Sequence, residues 1–365
     1  MKLKINYNPE DKDTFYPEVR KRVDSYFKEH HLTKNANGLM WAKVAFIIGL
    51  YVSSYLFLVL SGAPVLILWI MALIHGFSTA LVGLNITHDA IHGSLSSNKT
   101  LNTIFSHLMN VTGASEYLWR LKHNRIHHSF TNIHGHDEDL NQPDVMRLCP
   151  HQNRKWIHRF QHIYMFLLYP MASISWIFVK DYKNMSRKSY GFYEPTPPST
   201  KVWVVFFGYK ILYVLLFILL PFYLIQIPLW QFLIGFITAH LIEGITLALV
   251  FQLAHLVEGL EFPLPDNNQE LSKSWAVHQM YTTANFGCDS KITHFLTGGL
   301  NFQVEHHLFP MVCHIHYPAL SKIVKQTAKE YGLPYHENKS MLSALGSHYR
   351  HMKLMGRLPS MPIME

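Results

Sequence analysis

The chain has 365 residues, enough for one large domain or two ordinary ones. Charged residues make up 15%, against roughly 25% in a soluble globule, and 49% are hydrophobic, which excludes a disordered or fibrous chain and argues against an ordinary soluble one. The net charge of +8 reads as loops facing anionic lipid rather than as a nucleic-acid surface. Three cysteines, Cys149, Cys288 and Cys313, have no CxxC spacing, so neither a disulfide framework nor a thiolate cluster is expected. A reducing compartment fits them. Histidine is the oddity: there are 25, against 24 for Asp and Glu together.

In chain order, residues 1–43 form an N-terminal segment with no apolar core near its start, which reads as cytosolic and not as a cleaved signal peptide. From residue 44 to 88 there is no Asp, Glu, Lys or Arg, a run about twice the ~20 residues that cross ~30 Å of hydrocarbon. Ser61-Gly62-Ala63-Pro64 reads as its turn, giving a hairpin over 44–87 with spans near 44–61 and 65–87. Residues 88–201 read as a cytosolic segment. Within it, 163–179 is apolar but carries Pro170, so it either crosses marginally or lies in the interface. The Pro-rich run Glu194 to Pro198 reads as a rigid lead-in to a second hairpin over 202–254, interrupted only by Lys210 and Glu243 and turning at Gln226-Ile227-Pro228. Residues 255–365 complete the cytosolic part. Backbone groups in lipid must be satisfied internally, so the spans should be helices. Both turns lack Lys and Arg, while the termini and 89–201 are rich in them. The positive-inside rule therefore puts the termini and large loops in the cytoplasm.

Three clusters carry the chemistry: His88-Asp-Ala-Ile-His92, His123-Asn-Arg-Ile-His127-His128 and Gln303-Val-Glu-His306-His307, with His255 alone at the end of the fourth span. Residues four apart share a helix face, so His88 with His92, His123 with His127, and Gln303 with His307 are each expected to converge. His128, rotated by about 100° on an α-helix of 3.6 residues per turn, is expected to address a second metal. A rise of ~1.5 Å per residue from Val65 brings His88 to the cytoplasmic surface, where His255 also ends. All the clusters share one face only if 163–179 does not cross, and an interfacial helix is expected there. The isolated His75 and His240 read as packed, hydrogen-bonded residues. His30, His31, His134, His136, His151, His158, His162, His294, His314 and His316 read as interfacial. Eight histidines plus Gln303 exceed one tetrahedral zinc site, so two metals are the economical count. Imidazole suits Zn, Cu, Fe and Ni, so ligand type does not choose among them. Asp89, Asp137, Asp139 and Glu305 lie beside the clusters, either fixing imidazole tautomers or as solvated loop charges. The expected fold is an all-α membrane protein: four transmembrane helices in two hairpins, under a cytosolic helical cap that holds a histidine-rich dimetal site.

HxxxH at a span end, HxxxHH some thirty residues on and QxxHH near the C-terminus resemble the integral-membrane fatty acid desaturases. The likeness extends through His127 to Asn132, Gln252 to His255, Trp275 to Phe286 and Gln303 to Pro310, and Gln303 resembles the front-end branch. This resemblance implies two iron ions, O2 as co-substrate, and insertion of a cis double bond into a fatty acyl chain carried as acyl-CoA or acyl-lipid. It also implies that His88, His92, His123, His127, His128, His255, His306 and His307 are direct ligands, with Gln303 as ligand or close neighbour. Many front-end members carry a fused cytochrome b5 domain with a His-Pro-Gly-Gly motif; residues 1–43 contain none. The implied electron source is then a separate ferredoxin or cytochrome b5 with its reductase. Arg154, Lys155, Arg159, Lys180, Lys183, Arg187 and Lys188 could steer such an acidic donor, or could contact lipid headgroups. The implied location is a multi-pass membrane protein, bacterial in appearance, with no nucleic-acid partner.

Three rivals are distinguishable. A sister enzyme with the same boxes would add oxygen to a lipid, carotenoid or alkane. A metal transporter would place its site near the bilayer midplane, whereas these histidines gather at span ends and in loops. A structural zinc protein would consume no O2.

Overall fold

The structure, a computed structural model, describes residues 5–7, 14–140, 144–191 and 193–360. Helix α1 is Phe15–Glu29. Among the described residues, five further helices are long and apolar enough to cross a membrane: α2 (Gly38–Leu60), α3 (Val65–His92), α4 (Trp156–Met185), α5 (Thr200–Ile225) and α6 (Leu229–His255). Four of these answer the two expected hairpins, and both turns fall where the sequence places them. Gly62 and Gln226 each take the left-handed conformation that reverses the chain, with φ of 60° and 53°. Asn37 starts α2 by accepting from the backbone amide of Met40 at 3.0 Å.

The fifth apolar helix, α4, covers the ambiguous 163–179 and is longer than expected. It is not one regular helix. Pro170 sits in a 3-10 turn over Tyr169–Met171, because proline has no N–H to continue the ladder, and a π turn follows over Trp176–Lys180. Pro170 approaches α6 so closely that a Cβ on Gly244 would lie 2.2 Å from its carbonyl oxygen. α3 and α6 touch the same way, since a Cβ on Gly76 would lie 2.0 Å from the carbonyl oxygen of Ala239.

Several polar side chains among these helices are paired, as an apolar surrounding favours. Ser54 lies 3.0 Å from His75 Nδ1, and the Tyr213 hydroxyl lies 2.8 Å from His240 Nε2. Lys210 donates to Asp181 at 2.8 Å and to the carbonyls of Gly113 and Ile177. His75 and His240 are thus packed residues, as read from the sequence, while apolar residues such as Leu60, Leu66 and Val204 face outward.

The rest of the chain builds a helical cap on one end of α3 and α6. Phe15, Val19, Val23 and Phe27 of α1 pack with Met280, Phe302 and Leu308, and with Leu320 and Val324 of α7 (Tyr317–Glu330). Ala344 of α8 (Met341–Met355) packs on Leu253 and Ala254 at the end of α6. Two short parallel pairs pin the cap: Asn6–Tyr7 with Glu270–Leu271, and Asn285–Phe286 with Glu337–Asn338.

The α3–α6 contact gives a direct prediction. Gly76→Leu should destabilise the protein by about 2–3 kcal/mol through overpacking, read as a lowered Tm in detergent. Gly208→Ala, with nothing within 4 Å of the new Cβ, should leave Tm unchanged.

Candidate metal centre

Local winding decides where each imidazole points. α3 passes through a π turn at Gly83–Thr87 before its last segment, His88–His92, which is α-helical, so His88 and His92 share a face as expected. The second cluster differs. Arg120–His127 is a π-helix, whose wider i→i+5 turn sets residues four and five apart to either side of a common line. His123 places its Nε2 3.3 Å from that of His128, and its ring also stacks on that of His127 with centroids 5.4 Å apart, the two grouping with Asp139. His127 in turn places its Nε2 3.3 Å from that of His255.

The eight histidines, all buried, form two adjoining groups. His88, His92, His123 and His306 lie together, and so do His127, His255 and His307; His128 bridges them by lying with both His306 and His307. Consecutive residues are split in the second and third clusters alike. Gln303 and His307, four apart on the helix Gln303–Leu308, both join the second group, with the Gln303 amide 2.8 Å from His255 Nε2.

These residues fit a pair of metal ions. Nε2···Nε2 distances of 3.3 Å recur for His88–His123, His123–His128 and His127–His255. Two imidazoles on one tetrahedral ion with bonds of about 2.1 Å would have their nitrogens ~3.4 Å apart. The buried Nε2 atoms of His92, His306 and His307 and the Gln303 carbonyl oxygen have no hydrogen-bond partner, a cost that a bound cation removes. Burial holds His123, His128, His306 and His307 well below the usual imidazole range, hence neutral and able to ligate.

Hydrogen bonds to the outer ring nitrogens turn Nε2 inward. Nδ1 of His307 meets the Gln279 side-chain oxygen at 2.8 Å; Nδ1 of His306 meets the Tyr317 hydroxyl, and Nδ1 of His255 the Thr282 carbonyl, both at 3.3 Å. His127 Nδ1 lies 3.1 Å from both oxygens of Asp137. Burial would lower His127, but Asp137 and Asp139 outweigh it and lift it to about 9, an electrostatic bias that also favours a cation on its Nε2. Of the four carboxylates read as candidates, Asp137 makes this contact and Asp139 lies 3.4 Å from the same nitrogen. Asp89 turns away, accepting from His314 Nδ1 at 2.8 Å and from the Cys313 thiol, and stands 3.9 Å from His88 Nδ1. Glu305 accepts from Asn285 and the Tyr335 hydroxyl; burial raises it to about 7 against those two bonds.

The sequence reading did not find Gln279, Tyr317 or Thr282 as partners, and it set His314 aside as interfacial. Gln279 and Thr282 lie in the quoted run Trp275 to Phe286, but only the fold gives them a role.

A cavity of about 290 Å³ opens onto His123, His127 and His255. It shares Trp119, Trp176 and Phe251 with a neck of about 30 Å³ beside His88. That neck shares Thr79, Thr112 and Glu243 with a third space of about 100 Å³ among the apolar helices. The three spaces thus adjoin one another, the large one polar at Lys122, Asp137, Asp139, Lys180 and Asp181 and the other two mainly apolar.

The fatty acid desaturase family model matches residues 63–339. The chain is 36% identical over 357 residues to the acyl-lipid (8-3)-desaturase of Physcomitrium patens, covering 97% of this chain and 74% of that protein. It is 31% identical over 351 residues to the sn-1 linoleoyl-lipid 6-desaturase of Arthrospira platensis, covering 96% and 95%. It is 34% identical over 343 residues to the enzyme of the same name from Synechocystis sp., covering 93% and 94%.

Two outcomes follow from the geometry. His127→Ala or His307→Ala should abolish product while the protein stays membrane-inserted; more than a few per cent residual activity in isolated membranes would remove that residue from the ligand set. Asp137→Asn should weaken metal retention about 10- to 100-fold against a competing chelator, measured as metal content after dialysis.

Proposed function

The chain belongs to the fatty acid desaturase family and is an oxidoreductase that introduces a double bond into a fatty acyl chain; from that premise we propose that it acts near the carboxyl end of an acyl chain on a membrane lipid, using two irons held by the histidine groups. The observation that carries this reading is the pair of imidazole groups, with inward, unpartnered nitrogens, opening onto a cavity that adjoins apolar spaces among the helices. The first iron is assigned to His88, His92, His123 and His306, the second to His127, His255 and His307 with the Gln303 carbonyl, and His128 lies between. When bound, the irons supply O2 activation and removal of hydrogen from unactivated methylenes. The chain's own part is placement and exclusion of water. Trp119, stacked on His123 with ring centroids 4.7 Å apart, and Trp176 and Phe251 form walls that hold an alkyl chain against the centre. The named relatives are acyl-lipid desaturases, those of Arthrospira platensis and Synechocystis sp. being linoleoyl-lipid 6-desaturases, which supports the front-end reading.

The protein is read as spanning the membrane four times, as two hairpins over 44–87 and 202–254. Segments 1–43, 88–201 and 255–365 lie on the cytoplasmic face, and the lack of Lys and Arg in both turns supports this. The flanks of α4 support a segment that dips in and returns: His158 donates to the Asp144 carbonyl at 2.8 Å, and Arg187 donates to Glu138 at 2.7 Å. Both ends are thereby tied to the stretch that follows the second histidine cluster, and Pro170 breaks the helix between them. Electrons come from a separate ferredoxin or cytochrome b5 on that face.

Expression in a host of known fatty acid composition, with double bonds located by mass spectrometry, tests the reading. The expected product is a lipid-borne acyl chain with one new, O2-dependent cis double bond near its carboxyl end, from protein carrying two irons per chain. A product with a new oxygen atom would replace this reading with hydroxylation. Activity retained with zinc alone would remove the irons from it.

A further inference from the structure

We propose that Trp119 and Gln252 grip the carbonyl of the acyl ester, and that this grip sets which methylenes reach the metal centre; this rests on the reading that the acyl chain reaches the centre through the large cavity. Each residue stands near a proposed ligand. Trp119 ends the helix Glu116–Trp119, four residues before His123, and its ring stacks on that imidazole with centroids 4.7 Å apart. Gln252 lies on α6 three residues before His255, so the two share a face. Both line the large cavity, and Trp119 also lines the neck.

Unmade hydrogen bonds single these two out. Trp119 Nε1 and Gln252 Oε1 are buried and have no hydrogen-bond partner, a state that buried polar atoms ordinarily avoid. By contrast, Asn132, Ser173 and Asp181 on the same cavity are committed. Asn132 donates to the carbonyls of His255 and Thr282, Ser173 donates to the His240 carbonyl, and Asp181 accepts from Lys210. The indole nitrogen can only donate, and turning the Gln252 amide over exchanges its oxygen for its N–H groups. Both side chains can then donate to one oxygen. The methylenes of an acyl chain offer neither of them a partner; its carbonyl does.

Position fits the count. With Trp119 in stacking contact with His123, a carbonyl held there lies within a few methylenes of the imidazoles, as oxidation near the carboxyl end requires. A grip on the carbonyl measures from that end, and a slip of ~1 Å would already blur the choice of carbon. The head group then occupies the polar part of the large cavity, and the tail follows the neck toward the apolar space. The bland alternative is that ordered water satisfies both groups; it predicts no difference between an ester and an ether.

The test uses iron-loaded full-length protein in detergent without O2, and two pairs of probes that differ only at the carbonyl. The pairs are dilinoleoylphosphatidylcholine with its dilinoleyl ether, and linoleoyl-CoA with its S-linoleyl thioether. Binding is measured by native mass spectrometry. In at least one pair the carbonyl probe should bind about tenfold or more tightly than its ether, and that pair identifies membrane lipid or CoA as the source. Replacing Trp119 by benzothienylalanine, which keeps the ring area but lacks the N–H, should erase the preference with iron content intact. Gln252→Met should reduce it. With O2 and reductant restored, the wild type should give one double-bond position and the benzothienyl variant a spread over neighbouring positions. Equal affinity within both pairs would overturn the proposal. So would a benzothienyl variant that keeps the preference, weakens all the probes alike, or makes the single wild-type isomer; if it makes no product, binding alone decides. A Gln252→Met protein that keeps the full preference, or that loses iron, would remove Gln252 from the grip. Desaturation by a wild type with no carbonyl preference would sink the grip while leaving the desaturase reading intact.

Discussion

Imidazole nitrogens gathered away from water are the constraint around which this molecule is arranged. A buried polar atom without a partner costs about 1–3 kcal/mol, and here the inner nitrogens of His92, His306 and His307 face one another's neighbourhood with none. Protonating the rings would not help, because neighbouring positive charges and burial both oppose it. Only cations placed between the rings satisfy all of them together. The same demand explains why neighbours in sequence are shared between two centres: His127 and His128 diverge, and so do His306 and His307. The second and third clusters therefore contribute to both groups, while His88 and His92 join only the first and His255 only the second.

What aims those nitrogens lies outside the clusters. The rings are set by Asp137, Gln279, Tyr317 and the Thr282 carbonyl, and these sit on elements whose packing builds the cap. Met280, next to Gln279, and Tyr317 itself belong to the same apolar cluster as α1 and α7. Asn132, held at φ 58°, donates its side-chain amide to the carbonyls of His255 and Thr282, while its backbone N–H donates to Asp137. One left-handed residue thus joins the end of α6 to the second histidine cluster. Cap stability and metal geometry are coupled through such bonds, and a mutation in the cap core should disturb ligand aim before it unfolds the spans.

How much of this was legible follows from which signals are local. The hairpins are written in charge-free runs and turn residues, so helix ends such as Leu60 and Val65 fall beside the expected turn. That histidines from distant segments meet follows from both hairpins delivering them to one end. The partition of the second cluster was not legible, because HxxxHH reads identically whether the helix is α or π, and only the winding brings the Nε2 atoms of His123 and His128 together. Reading carboxylates by adjacency also failed for a definite reason. A helical neighbour is turned by about 100°, so Asp89 and Glu305, next to ligands in sequence, face away from the rings beside them. The candidates that do reach a ring of the centre, Asp137 and Asp139, come from the stretch ten and twelve residues after His127.

The intramembrane polar groups belong to the same argument. Ser173 bonds to His240 of α6, and Asp181 to Lys210 of α5, so α4 is fastened on both sides by buried bonds. Between those two anchors lie Trp176 and Ile177, which line the neck beside His88. Gly244 lets Pro170 come within backbone contact of α6 just before that stretch. The wall opposite the imidazoles is therefore held by polar bonds at its ends and by close packing at its start, while the surface it presents to an alkyl chain is apolar. Removing hydrogen from one pair of methylenes among many requires a chain that does not slide, and a displacement of ~1 Å is already costly in such chemistry. A wall free to shift could not hold that register. The ion pair and histidine bonds buried in the apolar layer, costly if judged by stability alone, are accounted for as the means by which the wall is kept still.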